Sequence, residues 1–178
     1  MSRLLRTEIP MSDVKDSLLR HFSEIFKRDL SLARKPMHIV KCVILRGEEV
    51  LLLKRSVSAG GFWQPVTGRI ERREHSLDAA RREVLEETSL SVEPRSLGVT
   101  QSFLVADGRL SGTMILEDSY VADAPAGAEP RAVDVEEHDE LAWFTLERAL
   151  ETVKWSDDKK SIRAAFASRK EEHLAARS

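Results

Sequence analysis

A chain of 178 residues, 42% apolar and with a formal net charge of −2, can build one domain with a sizeable core and has little to spare for a second. That balance excludes an intrinsically disordered chain and offers no broad electrostatic attraction for nucleic acid or an anionic membrane. The longest purely aliphatic run, Val50 to Leu53, is far too short to span a bilayer, and the single cysteine, Cys42, excludes an intramolecular disulfide framework.

Met1 to Pro10 reads as a loose tail. Arg3 and Arg6 suit a transit peptide, but Glu8, Asp13 and Asp16 follow and no apolar signal core is present, so a cytoplasmic protein is expected. Ser12 and Asp13 offer a helix start, and Val14, Leu18, Phe22, Ile25 and Phe26 form an apolar stripe before Pro36 stops it. The chain therefore divides into a tail and amphipathic helix over 1–35 and a main domain over 36–178.

Met37 to Leu45 is rich in β-branched residues and predicts a strand; Arg46-Gly47-Glu48-Glu49 predicts a turn and Val50 to Lys54 a second strand, making a hairpin. A Gly- and Ser-containing loop over Ser56 to Gly61 leads into Phe62-Trp63-Gln64-Pro65-Val66-Thr67 and a polar loop from Gly68 to His75. From Ser76 there is no Gly or Pro, and Leu77, Ala80 and Val84 recur at helical spacing. Beyond Leu90, strands are expected over Leu97 to Ala106 and Thr113 to Ala122, joined by Asp107-Gly108-Arg109. An exposed loop over Ala124 to Pro130 and a short strand over Leu141 to Phe144 follow. Thr145 can cap a helix running to about Val153, and Ser156 another to about Ala175, with Asp157 and Asp158 in its first turn. This order predicts an α/β (α+β) fold with a mixed sheet covered by helices on both faces.

The helix after Ser76 carries Glu83, Glu86 and Glu87 within about one quadrant of its surface. Such neighbours repel one another, and a divalent cation would offset the repulsion. On the helix alone, a solvated face balanced by Arg81 and Arg82 explains them better than a metal does. Oxygen donors suit a hard cation, Mg²⁺ or Mn²⁺, which binds a few carboxylates together with substrate phosphates.

The run from Gly68 through Glu74 to Arg82-Glu83-Val84-Leu85-Glu86-Glu87-Thr88-Ser89-Leu90 resembles the signature of the Nudix hydrolases, G-x5-E-x7-R-E-U-x-E-E-x-G-U with U a bulky aliphatic residue. Ser89 stands where the family has glycine. The resemblance implies a Nudix-like α/β/α sandwich, preceded here by an extra N-terminal helix. It implies that Glu83, Glu86 and Glu87 hold the metal, that Glu86, Glu87 or Glu137 activates water, and that Arg82 braces the loop against Glu74 behind Gly68. Leu51-Leu52-Leu53-Lys54-Arg55 is similar to the family's second strand, whose terminal basic residue, here Arg55, often meets phosphate. Glu137-His138, with Trp143 after four residues, is similar to its late E-H-x4-W element. Phe62-Trp63-Gln64-Pro65-Val66-Thr67-Gly68 and Lys154-Trp155-Ser156 resemble the subgroup acting on dATP and dihydroneopterin triphosphate, in which Trp63 and Trp155 would line a pocket for a base or pterin.

These readings predict an Mg²⁺-dependent pyrophosphohydrolase that converts a nucleoside or pterin triphosphate to a monophosphate and pyrophosphate. The expected partner is that small-molecule polyphosphate, with no membrane or nucleic acid, and a homodimer is compatible with the family. Alternatives are hydrolysis of ADP-ribose, another sugar nucleotide or a dinucleoside polyphosphate, and a non-catalytic nucleotide-binding module. An isopentenyl diphosphate isomerase is disfavoured because its cysteine would stand near Thr67-Gly68, whereas Cys42 lies in the first strand.

Overall fold

The strand β1 (Met37–Arg46) buries side chains on both of its faces, so it has to lie inside the sheet with layers above and below. In the structure, a computed structural model that describes residues 35–106, 110–131 and 137–175, it does so. Val40, Cys42 and Ile44 belong to one core and Val43 and Leu45 to the other. The strand β2 (Glu49–Arg55) alternates in the same way, with Leu51 and Leu53 on the first side and Val50 and Leu52 on the second. Each fully buried aliphatic side chain of this kind contributes roughly 1.5–3 kcal/mol relative to exposure.

The helix α1 (Ser76–Thr88) covers the first face with Ala79, Ala80 and Val84. On the second face lie α2 (Leu146–Thr152), which buries Ala149, and α3 (Ser156–Ala175), which buries Ile162 and Ala165. The Thr145 side chain caps α2 by accepting from the Arg148 amide. The expected α/β/α layering is therefore present. The predicted helix before Pro36 and the Asp107-Gly108-Arg109 turn lie outside the described residues.

The seven described strands form one sheet. β1 and β2 make the expected antiparallel hairpin, with Ile44 opposite Leu51. The strands β5 (Arg95–Leu104) and β6 (Met114–Asp123) are antiparallel, and β6 lies parallel to β1 with Cys42 beside Tyr120. The strand β7 (His138–Thr145) runs along β2 and starts three residues before the predicted Leu141. Two short strands were not expected: β3 (Trp63–Gln64) and β4 (Val66–Arg69), interrupted at Pro65, which has no amide to donate.

These short strands occupy a fork. β1 pairs with β2 only from Ile44 onward, while its earlier half, Ile39 to Cys42, pairs with β4. β3 takes the edge of β2 at Leu53 and Lys54. The fork thereby brings Gly68 across from Val40 and lays β4 beside α1. Among the described residues, no helix is long and apolar enough to cross a membrane.

Candidate metal and phosphate site

Gly68 and Glu83 are locked together by space. A Cβ built on Gly68 would fall onto the Glu83 carboxylate, so only glycine lets that side chain lie across β4. Glu83 follows from helical phase: Ala79, Ala80 and Val84 face the sheet, which leaves residues 83 and 87 on the flank beside β4.

Arg82 braces this arrangement. Its Nε and Nη2 donate to the two oxygens of Glu74 at 2.8 and 2.9 Å, and Nη2 also donates to the Arg69 carbonyl at 2.8 Å. Glu74 accepts in addition from the Glu71 amide at 2.8 Å. The guanidinium, aided by that amide, holds the Glu74 carboxyl down at about 2. Arg82 Nη1 reaches Glu83 Oε1 at 2.8 Å and Glu86 Oε2 at 2.9 Å; the bonds to Glu74 first, then these two, raise the Arg82 pKa against the effect of burial. Glu86 itself is more than half exposed.

Glu87 is buried, at 7% exposure, and its Oε2 has no hydrogen-bond partner among the described residues. Burial, followed by the charges of Glu83 and Glu137, pushes its pKa up to about 8, against the opposing effects of Arg55 and the Thr67 amide. Burial likewise raises Glu83, with Arg82 opposing. Carboxyl oxygens of Glu87 and Glu137 and a ring nitrogen of His138 all lie within 4.8 Å of one another. Arg55 Nη1 is 3.3 Å from Glu137 Oε2, and the Glu137 carbonyl accepts from the Ser56 amide.

This donor set fits a hard divalent cation. It offers several carboxylates, one of them a buried oxygen with an unmade interaction, and a cation would relieve the mutual repulsion of Glu83, Glu87 and Glu137. The fold thus joins Arg55, Glu87 and Glu137, which belong to three separate sequence segments. His138 beside Glu87 was not singled out from sequence as a donor, although its adjacency to Glu137 was visible.

A cleft of about 330 Å³ adjoins the acidic site, and Gln64, Thr67, Phe103, Leu104 and Trp155 are among its lining residues. Trp155 is half exposed and packs edge-on against Phe62 at 6.1 Å. Trp63 is placed differently. It packs against Phe144, with ring centroids 5.0 Å apart, at the edge of the second core, and is not among the residues lining the cleft. Of the two tryptophans expected to face substrate, only Trp155 is brought to the cleft.

Comparison with known proteins adds the lineage. The family model described as the NUDIX domain matches residues 35–165. The MutT NUDIX hydrolase from Burkholderia pseudomallei superposes with a TM-score of 0.61 at 24% identity, covering 74% of this chain and 98% of that one. The E. coli dihydroneopterin triphosphate pyrophosphohydrolase superposes with a TM-score of 0.60 at 23% identity, covering 72% of this chain and 95% of that one. Among curated sequences, an octanoyltransferase from Myxococcus xanthus is 30% identical over 171 residues, or 94% of this chain. The chain spans about half the length of that relative, 47%.

Proposed function

The chain belongs to the Nudix family, and from that premise we propose that it is a hydrolase of phosphoric anhydrides whose substrate is a nucleoside or pterin triphosphate, cleaved to a monophosphate and pyrophosphate with Mg²⁺ or Mn²⁺. The observation that carries this reading is the buried, unpartnered Glu87 Oε2 beside Glu83 and Glu137, one short strand away from an aromatic cleft. Glu83, Glu86 and Glu87 would hold the cation. When bound, the cation supplies charge neutralisation of the phosphates and polarisation of the phosphorus.

The protein's own groups then have separate tasks. Water attacks a phosphorus of the anhydride, and its proton passes to a carboxylate, with Glu137, Glu86 and Glu87 as the candidates. Arg55, already beside Glu137, is placed to meet a phosphate oxygen as that attack builds charge. Trp155 offers a stacking face for the heterocycle. Arg82 touches no reacting atom in this scheme; it holds Glu74, Glu83 and the carbonyl of Arg69 at the end of β4 in place.

Two alternatives fare less well. A binding module without turnover would have no need of the glutamates retained here. Thiol-based acyl transfer, which the name of the longer Myxococcus relative raises, lacks a nucleophile: Cys42 is fully buried, and burial pushes its thiol up to about 12. The single reduced cysteine also fits the cytoplasm as the compartment.

The deciding experiment is hydrolysis of a panel of nucleoside triphosphates, dihydroneopterin triphosphate, ADP-ribose and dinucleoside polyphosphates, with products read by mass. The triphosphates should release pyrophosphate, and Glu87→Gln and Glu86→Gln should each lower that release by about 100-fold or more. Faster cleavage of sugar-linked diphosphates than of every triphosphate would overturn the substrate reading.

A further inference from the structure

The strand β7 enters the acidic site through a break in its ladder. Leu141 and Trp143 pack on the α1 side of the sheet, so strict alternation would put Asp139 on that side and His138 on the other. Lys54 pairs with Glu140, yet the next residue of β2, Arg55, pairs with His138, because the register shifts between them. Residues opposite each other in an antiparallel pair share a face, and Arg55 follows Leu51 and Leu53 on the α1 side. The bulge therefore turns His138 toward α1 and leaves Asp139 exposed. The imidazole is almost fully buried, at 1% exposure, where unbroken pairing would have put another carboxylate.

A carboxyl oxygen each from Glu87 and Glu137 and a ring nitrogen of His138 lie within 4.8 Å of one another. Ligands on opposite sides of one cation, at about 2.0–2.2 Å from it, stand about 4.0–4.4 Å apart, so small side-chain rotations bring all three onto a single ion. Proximity of acidic groups alone does not make a cation site. A separate sign comes from Glu87, 7% exposed, whose Oε2 has no hydrogen-bond partner among the described residues. An orphaned carboxylate oxygen in that position is costly unless a cation meets it. The other glutamates of α1 are engaged differently, since Arg82 Nη1 bonds both Glu83 Oε1 and Glu86 Oε2. Glu87 is the one that reaches the start of β7.

We infer that His138 binds the cation through a ring nitrogen, beside Glu87 and Glu137, and thereby sets which metal the site prefers. The inference deepens the metal site of the proposed function and rests on that site holding a divalent cation. Mg²⁺ takes oxygen ligands and gains little from imidazole. Mn²⁺ accepts the same carboxylates and binds imidazole more readily, a preference that grows along the series to Co²⁺ and Ni²⁺. Two carboxylates and one imidazole therefore tilt the site from Mg²⁺ toward Mn²⁺. An enclosed imidazole also takes the place of a water that Mg²⁺ gives up reluctantly.

Binding is read without substrate, so failure of this inference and failure of the triphosphate reading are separable. Metal-free full-length protein is titrated with Mn²⁺, followed by loss of the free ion's electron paramagnetic resonance signal, with Mg²⁺ added as competitor. The Mn²⁺-loaded protein is then examined by electron spin echo envelope modulation, with ordinary histidine and with histidine labelled in heavy nitrogen. The wild type should show coupling to a directly bound nitrogen that changes with the label. His138→Gln offers an amide oxygen in place of the nitrogen and is checked for folding by circular dichroism. It should abolish that coupling and lower the Mn²⁺-to-Mg²⁺ affinity ratio about tenfold or more. Absence of Mn²⁺ binding, a wild-type spectrum without histidine coupling, or an unchanged coupling or ratio in folded His138→Gln overturns the inference. The wild-type spectrum decides even if that variant does not fold. If the coupling is present and no triphosphate is hydrolysed, the substrate reading fails and the role of His138 stands; the opposite pair of results removes His138 and leaves the substrate reading intact.

Discussion

Ser89 ends α1 with φ 60° and ψ 8°, the left-handed conformation that the family's glycine would adopt at this position. The turn is preserved, then, and the substitution shows up as strain. Neighbouring bonds hold it: the Ser89 amide donates to the Leu85 carbonyl, and the Arg131 amide to the Thr88 carbonyl. Ser89→Gly should raise stability by about 1 kcal/mol, read as a higher midpoint in urea with an unchanged slope; an unchanged midpoint would mean that the strain is offset elsewhere. Glu87 governs a different observable. Its folded pKa of about 8 lies above its unfolded value, so between about pH 4.5 and 8 the native state binds the extra proton. The stability this contributes is fully present below the unfolded pKa and is lost as pH rises through 8. In metal-free protein, Glu87→Gln should therefore melt close to wild type at about pH 5 and above it at about pH 9. Mg²⁺ at the higher pH should raise the wild type and not the variant.

At the scale of elements, the pairing of β4 with α1 is the part of the candidate site that the sequence exposed best. Gly68, Glu74, Arg82 and Glu83 are close in the chain and helical phase fixes their faces, so local rules suffice to relate them. That reading missed why the glycine matters. The loop before α1 was expected to begin at Gly68, whereas the residue sits within a strand that pairs with β1 and lies under the Glu83 carboxylate. Gly68 has no left-handed φ, so alanine meets no backbone penalty there. The obstacle is only the tip of a flexible side chain. Gly68→Ala should therefore keep the melting temperature within a few degrees, displace Glu83, and lower hydrolysis at least about tenfold. A large loss of stability would show that Glu83 cannot move aside, while unchanged turnover would remove Glu83 from the metal's ligands.

At the scale of the whole molecule, the sequence made the two-faced sheet legible because Val40 to Leu45, save for Lys41, and Val50 to Leu53 are continuously apolar. It could not show what sits among them. Lys41 interrupts β1 on the α3 face, and its partners Glu117 and Asp158 come from β6 and the first turn of α3. Asp158 read from sequence as a helix-dipole residue, because only the parallel pairing of β1 with β6 and the docking of α3 bring the three groups together. Nothing local encodes a contact across 76 or 117 residues. The cluster has a clear energetic signature all the same. Removing the cation leaves two buried carboxylates uncompensated, so Lys41→Met should cost about 3–5 kcal/mol near neutral pH. Both carboxyls already have raised pKa values, and without Lys41 they rise further. Each then contributes stability that is present below its unfolded pKa and is lost as pH rises through the folded value. The deficit of Lys41→Met relative to wild type should accordingly be small at about pH 4 and widen steadily toward pH 8, as measured by urea unfolding at each pH. A deficit that stays constant across that range would mean that Lys41 stabilises the protein through the packing of its methylenes and not through its charge.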